Sequence, residues 1–175
     1  MFPTSSKLGL YSDQEVREGV KELFGYEAFI KGMANFLPKS LSDYIIQTKN
    51  QVNSSYDFQK LLIHPFLKFV QEASIDSLHS SGLENLDKET SHLFVSNHRD
   101  IGLDSAFLNV MLFDNGFNTS QIAIGDNLMK HRIAELIFRI NKSFAVKRSG
   151  SARELYQSSI DLSSYIYNTL SLIHI

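Results

Sequence analysis

Between residues 56 and 73 the apolar side chains Phe58, Leu61, Leu62, Phe66, Leu67 and Val70 recur at helical spacing, so one stripe of that segment faces a partner. Pro65 lies inside the run; it lacks an N–H and its ring crowds the preceding turn, which predicts a kink or a break. Residues 13–24, 27–35 and 39–49 also read as helices, making 1–76 an N-terminal helical region. From Ile75 onward the texture changes to short β-like runs alternating with amphipathic stretches, beginning with 77–81 and then 91–96. A polar loop follows at 97–103, then a helix over 104–113 and the turn Asp114-Asn115-Gly116. Residues 121–124 read as a strand, 130–140 as a helix, 143–146 as a strand and 152–170 as a final helix. Strands joined by helices predict an α/β fold with a mostly parallel sheet and flanking helices. Functional loops of such a sheet lie beyond the carboxyl ends of its strands, and 97–103 is a loop of that kind.

Composition narrows the class. With 43% hydrophobic residues, 9 Gly and 3 Pro, the chain has apolar material for a core, and disorder and low complexity are excluded. The absence of Cys removes disulfides, thiolate zinc sites and thiol nucleophiles, and it fits a reducing, cytoplasmic setting. No basic leader precedes an apolar stretch, and no run of apolar residues is long enough to span a bilayer. Formal charge is -2, yet residues 126–153 hold Lys130, Arg132, Arg139, Lys142, Lys147, Arg148 and Arg153 against only Asp126 and Glu135. That segment reads either as a solvated face or as a site for phosphate-bearing substrate or anionic headgroups. Nucleic acid is excluded as a partner because the chain has no basic tail and no aromatic platform motif.

The densest chemistry is Ser96-Asn97-His98-Arg99-Asp100-Ile101-Gly102-Leu103-Asp104. Histidine titrates near neutrality, so a carboxylate accepting its Nδ1 proton orients the ring and leaves Nε2 to deprotonate an alcohol. The plain structural alternative is a loop histidine with Asp104 capping the next helix and Asp100 solvated. His98-Arg99-Asp100 imitates a protein-kinase catalytic loop, but Ser105 stands where Asn is required and no Asp-Phe-Gly follows. A metal held by His98, Asp100 and Asp104 would lack a second clustered histidine, so no metal is expected.

Phe94-Val95-Ser96-Asn97-His98-Arg99 with a downstream Asp resembles the first block of the glycerolipid acyltransferases, which acylate glycerol 3-phosphate and lysophosphatidate. That block reads His, four residues, Asp; here Asp104 is one residue further on and Asp100 is nearer, so either carboxylate could orient the ring. Gly125-Asp126-Asn127-Leu128, Phe144-Ala145-Val146-Lys147-Arg148 and Leu155-Tyr156 follow in the order of the glycerol-3-phosphate acyltransferases. The resemblance implies His98 as general base, Asp104 or Asp100 as its partner, and Lys147 and Arg148 as phosphate-binding cations. Arg99, Gly125, Asp126 and Asn127 are the further substrate-binding candidates. It also implies an acyl thioester donor on coenzyme A or acyl carrier protein and no metal or further cofactor. Separately, an apolar helical face and the basic segment lead us to expect peripheral contact with an anionic membrane on its inner face.

Residues 77–169 are expected to be a partial acyltransferase domain, since the family's third block, a Glu-Gly pair, is due after the last helix, and the only Glu-Gly is Glu18-Gly19. The last six residues, 170–175, match what a common sequencing adapter encodes and are expected to be a non-native tail. The expected function is acyl transfer to a glycerol-phosphate-type hydroxyl in phospholipid synthesis. Two alternatives stand beside it: a truncated chain that binds phosphate or membrane without turnover, and a His-Asp hydrolase.

Overall fold

Ser12 opens the first helix by a reciprocal cap: its side-chain oxygen accepts the Glu15 N–H, while the Glu15 carboxylate accepts the Ser12 N–H at 2.7 Å. The Ser12 N–H holds the Glu15 carboxyl below its ordinary range. Helix α1 (Asp13–Leu23) leads into α2 (Glu27–Phe36) and α3 (Lys39–Thr48) in the computed structural model, which describes residues 8–97, 99–100 and 102–171. The stripe around Phe58 then forms one helical run of changing type: α4 (Ser55–Phe58), a π-helical turn (Gln59–Ile63) and α5 (His64–Ser74). Pro65 sits in the first turn of α5. Its predicted disturbance takes the form of the widened turn just before it, where the His64 N–H reaches back to the Gln59 carbonyl.

Helices α6 (Leu103–Asp114), α7 (Arg132–Ile140) and α8 (Ala152–Ser171) surround a parallel pair, β1 (Ile122–Gly125) and β2 (Ser143–Val146). The strands pair in register from Ile122 with Ser143 to Gly125 with Val146. A 3-10 turn (Asp126–Met129) and α7 make the crossover between them. The fold class read from the sequence is the one observed, with a smaller sheet than expected. Residues 91–96 form no strand ladder, and 77–81 are irregular as well. Leu93 and Val95 are 64% and 86% exposed, so the short β-like run that suggested a strand has no paired edge to cover it.

Helix α7 belongs to the crossover, but its apolar face packs on the N-terminal helices. Leu136 and Ile140 share one core with Val16, Val20, Leu23, Met33, Leu37, Ile45, Phe58 and Leu62. Gly19 permits this approach, because a Cβ there would lie 3.1 Å from Ile140 Cδ1. Glycine inside a helix costs about 1 kcal/mol relative to alanine, and here close packing offsets it. Arg132 clamps the same contact with two hydrogen bonds to the Glu22 carboxylate, at 2.7 and 2.8 Å. A smaller core of Leu67, Phe107 and Val110 joins α5 to α6. Asp114 adds bonds to His64 at 2.6 Å and Lys68 at 3.3 Å.

Candidate functional site

Two groups of sequence-predicted residues take shape around α6 and around the strand ends. His98 lies outside the described residues, and Arg99, Asp100 and Asp104 define the loop around it. Asp104 Oδ2 accepts the backbone N–H groups of Arg99 at 2.7 Å and Asp100 at 2.9 Å. Asp100 Oδ1 accepts those of Gly102 at 3.0 Å and Leu103 at 2.9 Å, at the entry to α6. The two carboxylates thus hold different parts of the loop. Asp100 covers orphan donors at a helix start, and Asp104 holds the backbone of Arg99 and Asp100 against the start of α6.

The second group gathers at the carboxyl end of the sheet. Gly125 pairs with Val146, so Asp126 and Asn127 leave β1 beside Lys147 and Arg148 leaving β2. The Arg148 N–H donates to Asp126 Oδ1 at 3.2 Å. Lys147 Nζ lies 3.5 Å from Glu154 Oε1, and Glu154 Oε2 accepts the Ser151 N–H at 2.8 Å at the head of α8. The Ser151 backbone and hydroxyl, followed by the Lys147 charge, hold the Glu154 carboxyl below its ordinary range. Glu154 is absent from the sequence-predicted set, although Ser151-Ala152-Arg153-Glu154 is a capping-box pattern that signals it. Buried Asn109 ties the two groups together through their elements: its amide bonds the Ser120 carbonyl and N–H, holding α6 against the approach to β1.

The basic segment is neither a uniform solvated face nor a single phosphate cluster. Arg132 is spent on Glu22 and Glu135, and Arg139, 6% exposed, stacks on the Tyr11 ring at 5.0 Å. Lys142 has φ 58 and donates to Thr119 Oγ1 at 2.8 Å; burial lowers its pKa. Thr119 in turn donates to Gln59 Oε1 at 2.6 Å, and the Gln59 amide donates to Asn141 Oδ1 at 3.0 Å, so this chain of bonds pins the π-helical turn to the sheet. Lys147 and Arg148 are the basic residues at the β2 end, and Arg148 also touches the end of β1. An open cleft of about 370 Å³ beside Ser80, Leu86, Lys88, Asn115 and Phe117 lies at the far end of α6 from Asp104 and contains none of the predicted site residues.

A parallel β-α-β unit with two carboxylates at the opening of one helix and cations at the carboxyl end of one strand is an α/β arrangement, in which ligands bind beyond the carboxyl ends of the strands. The Acyltransferase family model matches residues 77–169, just over half of the chain, and the chain belongs to that family, the glycerolipid acyltransferases. It is an acyltransferase. Comparison with individual curated proteins and with solved structures gave no match. No helix among the described residues is long and apolar enough to cross a membrane.

Proposed function

We propose that this acyltransferase moves a fatty acyl group from a thioester donor, on coenzyme A or acyl carrier protein, to a hydroxyl of a glycerol-phosphate-type acceptor. The observation that carries the reading is the register of the two strands, which puts Lys147 and Arg148 beside Gly125, Asp126 and Asn127 at one end of the sheet. Phosphate suits such a pair, since arginine offers a fork of donors and lysine a point charge. Arg99, adjacent to the base, adds a third cation on the acceptor's side.

In the proposed step His98 Nε2 takes the acceptor's hydroxyl proton as that oxygen attacks the thioester carbonyl. The tetrahedral intermediate collapses by breaking the C–S bond, and the proton passes from the imidazolium to the departing thiolate. The products are an ester and a free thiol. Asp104 supports the base by fixing the loop amides beside it. The chemistry requires no cofactor beyond the donor, and the product's acyl chain favours peripheral work at an anionic membrane surface.

The absence of Cys makes the assay direct, because a thiol reagent then reports only released coenzyme A. With palmitoyl-CoA, thiol release that depends on glycerol 3-phosphate and yields the acyl ester is expected. Equal release without acceptor, giving free fatty acid, would indicate a hydrolase, and substrate binding without any thiol release would indicate a noncatalytic chain.

A further inference from the structure

Gly125 has φ -60 and ψ 133, a backbone conformation open to any residue, so the path of the chain does not call for glycine there. The constraint is space. A Cβ on Gly125 would fall 2.5 Å from Asn127 Oδ1, 3.0 Å from Arg148 Nε and 3.2 Å from Arg148 Cγ. The Arg148 side chain therefore runs across the bare backbone of buried Gly125, with its own N–H anchored on Asp126 Oδ1 at 3.2 Å. Gly150 stands in a similar relation to Lys147, since a Cβ there would lie 3.1 Å from Nζ, but its φ of 141 demands glycine for the backbone as well. Gly125 alone separates room for a cation from freedom of the chain.

We infer that Gly125 is a positioning residue for Arg148: its missing side chain is the seat that directs the guanidinium toward the acceptor's phosphate. This rests on the proposed reading of Arg148 as a phosphate-binding residue and adds the neighbour that sets its direction. A guanidinium fork binds phosphate through paired, oriented bonds, so direction matters more for arginine than for a flexible ammonium. A Cβ at position 125 obliges the Arg148 stem, 3.0–3.2 Å away, to shift, which leaves the charge in place and turns its fork from the phosphate.

A double-mutant cycle read by calorimetry tests this, with glycerol 3-phosphate and palmitoyl-CoA as the two probes and a cooperative thermal melt as the check on folding. Gly125→Ala is expected to weaken glycerol 3-phosphate binding about tenfold, to leave palmitoyl-CoA binding unchanged, and to add nothing in an Arg148→Ala background. A folded Gly125→Ala that binds glycerol 3-phosphate like wild type, where Arg148→Ala does not, overturns the inference alone. Equal weakening by Gly125→Ala with and without Arg148 also overturns it. Unchanged binding in Arg148→Ala overturns the acceptor reading beneath it. Should Gly125→Ala fail to fold, Gly125→Ala with Asn127→Ala removes the 2.5 Å contact and keeps those with Arg148, and is compared with Asn127→Ala. Failure of that pair to fold would assign Gly125 to packing and overturn the inference.

Discussion

Asp100 and Asp104 sit four residues apart in one loop, and the folded chain separates them by what their oxygens hold. Asp104 binds the amides of Arg99 and Asp100, next to the proposed base, whereas Asp100 binds the amides that start α6. Asp104→Asn is therefore expected to lower acyl transfer far more than Asp100→Asn, and Asp100→Ala to lower stability by about 1 kcal/mol through loss of its cap. Rates and melting temperatures of the three variants check this, and an Asp100→Asn enzyme slower than Asp104→Asn would reverse the roles. His98→Ala is expected to lose about 10²–10⁴-fold in rate while keeping a cooperative melt. A folded variant retaining more than about a tenth of the rate would remove His98 from the chemistry, because a positioned base contributes more than that. The residue types of this loop were legible in the sequence, but the division between its carboxylates was not. Which amide a carboxylate accepts depends on how the loop turns into α6, and spacing alone does not determine that.

Helices and strands that bury a regular apolar pattern were legible nearly to the residue: β2 spans Ser143–Val146, and α1, α2 and α3 begin where the pattern begins. Residues 91–96 depart from the expected strand because a short apolar, β-branched run gives only a local preference, and pairing is decided by distant residues. Pro65 announced a disturbance but not its form, since a π-helical turn depends on Gln59 finding Asn141 and Thr119 across the sequence. The clamp between α1 and α7 is likewise long-range, and it carries a pH signature. The Arg132 guanidinium beside Glu22 holds that carboxyl below its ordinary value of 4.5. Stability from the pair is therefore fully present above that value and is lost as pH falls through the lowered one. Both side chains are more than a third exposed, so screening limits the contribution to about 0.5–1 kcal/mol. Glu22→Gln should melt lower than wild type at pH 7 and converge with it in acid. A gap that persists at about pH 2, where carboxylates are protonated, would assign the difference to packing.

At the scale of the molecule, the helical region and the family-matched residues 77–169 are not independent in their packing, because Leu136 and Ile140, both 0% exposed, complete the N-terminal core. Uncovering a large aliphatic side chain costs about 1.5–3 kcal/mol, against a total stability of about 5–15 kcal/mol for a typical domain. Residues 77–171 expressed alone are expected to lack a cooperative thermal transition, and a sharp transition would show that α7 needs no cover from α1. The same packing fixes the crossover that delivers β1 and β2 in parallel register, and so fixes where Asp126 stands relative to Arg148. Whether that strand end receives the acceptor's phosphate is measured most directly by calorimetric titration of glycerol 3-phosphate and of palmitoyl-CoA into wild type and into Lys147→Ala/Arg148→Ala. The predicted result is glycerol 3-phosphate affinity lower by about one to two orders of magnitude, with palmitoyl-CoA affinity unchanged. Unchanged glycerol 3-phosphate affinity, with palmitoyl-CoA binding weakened instead, would contradict it and move the cation pair to the donor.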